Sequence, residues 1–132
     1  MMQMIPTELT EDLKILEERG YKFETKEENN KVHIIFKDFP LPSGVYNMEK
    51  TELLIFTTPH YPNAGFDMFW VDEGLRLNDG RIPEKAEHVE IQCGVSRRRF
   101  SYHPYNAKPW NPSEDNVVHY MEYVHQRLRN GN

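Results

Sequence analysis

The chain has 132 residues, 38% of them apolar and 28% charged, with a net charge of -5 at pH 7. That length suits one domain spanning 1–132 with a single core, the acidic balance argues against a nucleic-acid partner, and no apolar run approaches the roughly 20 residues of a membrane span. The lone cysteine, Cys93, excludes an internal disulfide and fits a reducing cytoplasm, while the start MMQMIPTELT lacks the basic head and apolar middle of a secretory signal.

In chain order, Pro6-Thr7-Glu8-Leu9-Thr10-Glu11-Asp12 reads as a helix start, with Thr7 or Thr10 as cap and acids in the first turn, where the helix dipole favours them. Leu9, Leu13, Leu16 and Ile15 supply an apolar stripe, and Gly20 ends the helix. A strand over 21–25, a hairpin turn at Lys26-Glu27-Glu28-Asn29-Asn30 and a returning strand over 32–39 follow. Pro40-Leu41-Pro42-Ser43-Gly44 is a rigid connector. The stretch from Thr51 to Asp72 then organises the chain: the continuous apolar run Leu53-Leu54-Ile55-Phe56 predicts a strand covered on both faces. Pro59 and Pro62 break it, because proline cannot donate to a ladder, and Met68-Phe69-Trp70-Val71 resumes the sheet.

Beyond Asp72 the periodicity fades. Asn78-Asp79-Gly80 is a tight-turn signal, and 91–100 reads as one imperfect edge strand. Arg97-Arg98-Arg99 within it reads as a solvated face rather than a phosphate clamp. Residues 101–112, SYHPYNAKPWNP, have no period and predict an ordered loop pinned by its aromatic rings. Ser113-Glu114-Asp115 caps a last helix with Val117, Tyr120, Met121, Val124 and Leu128 on one buried face, and Gly131 ends it. A helix, about four antiparallel strands, a long irregular segment and a C-terminal helix make an α+β fold. Some forty irregular residues inside one domain point to function there.

These residues resemble a ubiquitin-conjugating (UBC-like) fold, and specifically its short bacterial branch, prokaryotic E2 family E. The resemblance rests on Pro40-Leu41-Pro42-Ser43-Gly44-Val45-Tyr46, the strand at 51–57, Tyr61-Pro62, Met68-Phe69-Trp70 with Leu75, Asn78 and Gly80, then Phe100-Ser101-Tyr102-His103, Trp110-Asn111-Pro112 and Asp115. It implies a component of a bacterial conjugation pathway that accepts the activated C-terminus of a ubiquitin-like protein from an activating enzyme and passes it to an amine of a target protein. It further implies a bacterial, cytoplasmic setting, with antiphage defence as one expected context, and no cofactor. The usual His-Pro-Asn is absent. Its asparagine falls near Asn78, which either helps hold an oxyanion or is plain turn chemistry before Asp79-Gly80.

The acyl carrier has two candidates. In the eukaryotic relatives the catalytic cysteine lies much closer to Trp-x-Pro than the seventeen residues that separate Cys93 from Trp110, and counting back from Trp110 reaches Ser101-Tyr102-His103. A thiol is the natural carrier of an activated acyl group, and Arg97 to Arg99 would lower the pKa of Cys93. A serine needs a base; His103 stands two residues from Ser101 and shares its face if the chain is extended. Both residues also have bland readings, Cys93 as a small buried hydrophobe and Ser101 with His103 as a loop-ordering pair. The remaining histidines have no metal-ligand spacing, and Trp70 and Trp110 read as core and loop anchors. Two rivals to the conjugation reading are a non-catalytic UBC-like binding module and a small Ser/His hydrolase with Asp115 as its acid.

Overall fold

The computed structural model describes residues 5–132, so the reading of the first four residues lies outside it. Helix α1 spans Thr7–Glu18 and buries Leu9, Leu13 and Leu16, while Ile15 points outward. Neither threonine caps it: Pro6 occupies the cap position with no side-chain cap, and the Thr10 hydroxyl donates back to the Pro6 carbonyl. Pro6 needs no donor there, and its fixed φ suits a helix start. At the other end Gly20 adopts φ +95°. The N–H groups of Gly20 and Tyr21 return to the carbonyls of Glu17 and Leu16, a Schellman closure that satisfies the last turn.

Among the described residues six antiparallel strands follow where about four were expected: β1 (Phe23–Glu28), β2 (Lys31–Pro40), β3 (Lys50–Thr57), β4 (Phe69–Asp72), β5 (Val89–Gln92) and β6 (Val95–Phe100), in spatial order β1-β2-β3-β4-β6-β5. The β1–β2 turn narrows to Asn29-Asn30, both at positive φ, the geometry that a two-residue hairpin turn demands. The expected edge strand over 91–100 is a hairpin instead, turning at Cys93-Gly94 with φ of +53° and +76°. β6 rather than β5 pairs with β4, from Phe69↔Phe100 to Asp72↔Arg97. Helix α2 (Val117–Asn130) closes the domain, capped not by Ser113-Glu114-Asp115 but by Asn116, whose side chain accepts from the His119 N–H at 3.0 Å.

Period-two alternation divides the sheet's apolar residues between two clusters. Val32, Ile34, Phe36, Leu53, Ile55, Phe69, Val71 and Phe100 join the buried stripes of both helices in the main core. Ile35, Leu54 and Trp70 form a smaller cluster on the other side, where Phe56, Met68 and Cys93 pack against them. β3 therefore contributes to both, which is why its apolar run is continuous. Each such side chain stabilises by roughly 1.5–3 kcal/mol relative to exposure. Leu53→Ala at the sheet centre would cost about 2–5 kcal/mol.

The arginine run is not a solvated face. Arg97 and Arg98 are only 2% and 3% exposed and point to opposite sides of β6. Arg97 pairs with Glu52 at 3.0 Å and donates to the Gln92 carbonyl. Arg98 donates to the carbonyls of Glu73 and Ala86, and so ties the 73–88 connection to the sheet. Burial of guanidinium groups is tolerable only with such partners.

Candidate functional site

The segment after β6 is built on a turn and an aromatic clamp. The Tyr102 N–H donates to the Phe100 carbonyl at 2.9 Å, and the Ser101 N–H donates to the Lys85 carbonyl. The chain therefore bends at Ser101, and the expected extended geometry, with Ser101 and His103 on one face, is not formed. Ser101 Oγ accepts from Arg99 Nε at 3.3 Å, and Arg99 also reaches Glu90. His103 turns instead to Asp67 in the β3–β4 connection, with Nδ1 2.7 Å from the carboxylate oxygen. An ionised carboxylate only accepts, so Nδ1–H donates and Nε2 is left as the basic nitrogen. Nor is Asp115 the acid partner of His103. Its carboxylate caps the Asn111 N–H at 2.8 Å and lies 3.8 Å from the His119 ring.

Trp110 fixes this segment to the β3–β4 connection. Its indole N–H donates to the Pro62 carbonyl at 2.8 Å, and its ring sits against Tyr61, Phe66 and Tyr105. Tyr61 joins three elements: its hydroxyl donates to Asp12 of α1 at 2.7 Å and accepts from the Val117 N–H, the first of α2. Burial, and next the Asp12 carboxylate, push the Tyr61 phenol far up. Between the two connections runs a groove of about 490 Å³, lined among others by Gly65, Asp67, Met68, Tyr105, Asn106 and Trp110. Tyr120 of α2 backs this region, with a phenol raised first by burial and then by the Asp67 carboxylate.

Cys93 lies elsewhere, at the tip of the β5–β6 hairpin and against the Ile35–Leu54–Trp70 cluster. The expected lowering of its pKa by the arginines does not prevail. Burial raises the thiol and Glu28 reinforces the rise, while Lys26 and then Arg97 oppose it without reversing it. Asn78 is also apart: its side-chain amide donates to the Gly44 carbonyl, its N–H to the Val45 carbonyl, and Gly80 at φ +95° completes the turn. Among the described residues no hydrogen bond or ion pair joins Asn78 or Cys93 to Ser101 or His103. Ser101 and His103 thus share a segment but not a hydrogen bond. Asp67, the partner that sequence reasoning missed, lies 36 residues from His103. Its only sequence signal was an acid set among apolar residues before Met68-Phe69-Trp70.

Among the described residues no group of three or more His, Cys, Asp or Glu side chains could hold a metal ion, and no helix is long and apolar enough to cross a membrane. In comparisons with known proteins, the model of a family described as Prokaryotic E2 family E matches residues 9–131. No curated protein and no solved structure matches the chain.

Proposed function

Because the chain belongs to prokaryotic E2 family E, we propose that it is the conjugating component of a bacterial ubiquitin-like pathway, taking the activated C-terminus of a ubiquitin-like protein from an activating enzyme and passing it to an amine on a target protein. The observation that carries this reading is the family match, which runs from within the first turn of α1 to just past the end of α2. Within it we assign the acyl group to Ser101. Arg99 places a guanidinium 3.3 Å from Ser101 Oγ, where it favours the anionic oxygen. At Cys93, by contrast, burial disfavours the thiolate. In the loading step Ser101 Oγ attacks the thioester carbonyl, and its proton passes to the departing sulfur, which leaves as the activating enzyme's thiol. In the second step the target amine displaces the serine oxygen and an amide forms.

One observation favours the non-catalytic binding module: neither Ser101 nor Cys93 is hydrogen-bonded to a base. The deciding assay mixes the protein with ATP and with the activating enzyme and ubiquitin-like protein of its source organism, and compares wild type, Ser101→Ala and Cys93→Ala. A base-labile, thiol-resistant adduct lost only in Ser101→Ala supports the assignment. A thiol-sensitive adduct lost only in Cys93→Ala transfers the role to Cys93, and binding without any adduct leaves the binding module.

A further inference from the structure

Taking the carrier reading as its premise, we infer that His103 is the base of the second half-reaction, the attack by the target amine, and that Asp67 is its positioning residue. His103 is the half-exposed imidazole of the segment, and Asp67 Oδ1 holds its Nδ1 at 2.7 Å. That bond sets the tautomer and points the basic Nε2 away from the carboxylate. Asp67 is itself 60% exposed at its side chain and lines the groove between the two connections, so the pair presents negative charge and a proton acceptor together. A lysine side chain, cationic and long, fits both. Tyr120 on α2 faces Asp67 and Tyr105 lines the same groove, each with a phenol raised first by burial and so neutral at pH 7.

The chemistry requires such a base. A free lysine amine is only about 0.04% deprotonated at pH 7, given its pKa near 10.4. In the proposed step the ammonium gives one proton to His103 Nε2, and the amine attacks the ester carbonyl held on Ser101. The tetrahedral nitrogen then loses its second proton to solvent water as the C–O bond to Ser101 breaks. Ser101 Oγ leaves as the hydroxyl, having taken a proton from the imidazolium, and the amide bond remains. His103 and Ser101 are two residues apart, within about 7 Å along the chain. They can therefore serve one bound ester although they do not touch each other.

The test separates loading from discharge. The full-length protein is loaded with a peptide thioester ending in Gly-Gly, and adduct formation is timed. N-acetyl-lysine methylamide is then added, and discharge is timed at pH 7 and pH 10. Asp67→Asn and His103→Gln should load at the wild-type rate but discharge more slowly at pH 7, by about 10- to 100-fold and 100-fold respectively. At pH 10, where roughly a quarter of the free amine is already deprotonated, the gap should shrink below about threefold. Asp67→Glu should recover part of the pH 7 rate, which a pure packing role would not produce. Unchanged discharge in both variants, or equal slowing at both pH values, overturns the inference while leaving Ser101 as carrier. Slowed loading reassigns His103 to the first step and also overturns it. No adduct on wild type overturns the carrier reading and this inference with it.

Discussion

Trp110 stands directly over Gly65: a Cβ at Gly65 would lie 2.3 Å from Trp110 Cδ2, and the neighbouring indole N–H holds the Pro62 carbonyl at 2.8 Å. The contact sets the spacing between the β3–β4 connection and the segment after β6, and hence the width of the groove that Asp67 lines. Gly65→Ala must displace the indole or the backbone. It should destabilise by about 1–3 kcal/mol, the usual cost of overpacking, with a changed indole fluorescence. A thermal melt with no shift and unaltered emission would show that the loop yields freely.

Tyr61 gives the second prediction. Tyr61→Phe keeps the ring contacts with Phe66 and Trp110 but removes the hydroxyl shared by Asp12 and the Val117 N–H. The stranded amide lies in the core, so the loss should be about 1–3 kcal/mol. Urea unfolding measures it. Adding Asp12→Asn to Tyr61→Phe should cost little more, because both changes break the same link.

Much of the frame was legible in the sequence, and its limits have physical causes. Leu9, Leu13 and Leu16, like Val117, Tyr120, Met121, Val124 and Leu128, announce their helices because each face meets one apolar core. Leu53-Leu54-Ile55 announces a central strand because both of its faces are covered. The β5–β6 hairpin stayed hidden because the partners that permit Arg97 and Arg98 to be buried, Glu52, Glu73 and Ala86, come from distant parts of the chain. Cys93-Gly94 was a readable turn signal, weakened by a cysteine at a positive φ where asparagine or glycine is usual. His103 was legible as a candidate, but its pairing with Asp67 was not, since only the fold brings the two connections together.

Cys93 should behave as a reluctant thiol. Burial raises its pKa, so the thiolate fraction at pH 7 falls below that of free cysteine. Alkylation by iodoacetamide at pH 7 should be slower than for glutathione, and it should accelerate with pH beyond the point where glutathione levels off. Alkylation faster than glutathione at pH 7 would contradict the packing of Cys93 against Trp70 and reopen its candidacy as carrier.

The Glu52–Arg97 pair gives a prediction in which a buried charge decides the magnitude. Glu52 is partly exposed, yet Arg97 is nearly sealed and its other contact is the Gln92 carbonyl. Glu52→Gln should therefore cost more than a surface ion pair, about 1–3 kcal/mol, because it leaves a buried guanidinium short of its counter-charge. Lys37→Ala should cost under about 1 kcal/mol, since that side chain is well exposed. Urea midpoints of the two variants measured together settle the order, and equal losses would show that Arg97 is rehydrated.

Acid should destabilise the fold in two stages. Burial lowers the pKa of His33, and burial together with Arg129 lowers that of His125. A histidine whose folded pKa lies below its unfolded value near 6.5 binds protons more readily in the unfolded chain. Its contribution is therefore complete above about pH 6.5, begins to fall below that value and is lost as the pH drops through the folded pKa. Glu52 acts lower: the hydrogen bond from Lys37, supported by Arg97, lowers its pKa, so its contribution persists above about pH 4.3 and disappears below. The urea midpoint of wild type should be level from pH 8 to 7, decline gently from 6.5 to 5, and drop more steeply below 4.5. His33→Gln with His125→Gln should flatten the decline between pH 6.5 and 5 and leave the lower drop in place. Glu52→Gln should reduce the lower drop alone. A decline between pH 6.5 and 5 as large in the double variant as in wild type would mean that the two buried rings do not govern it.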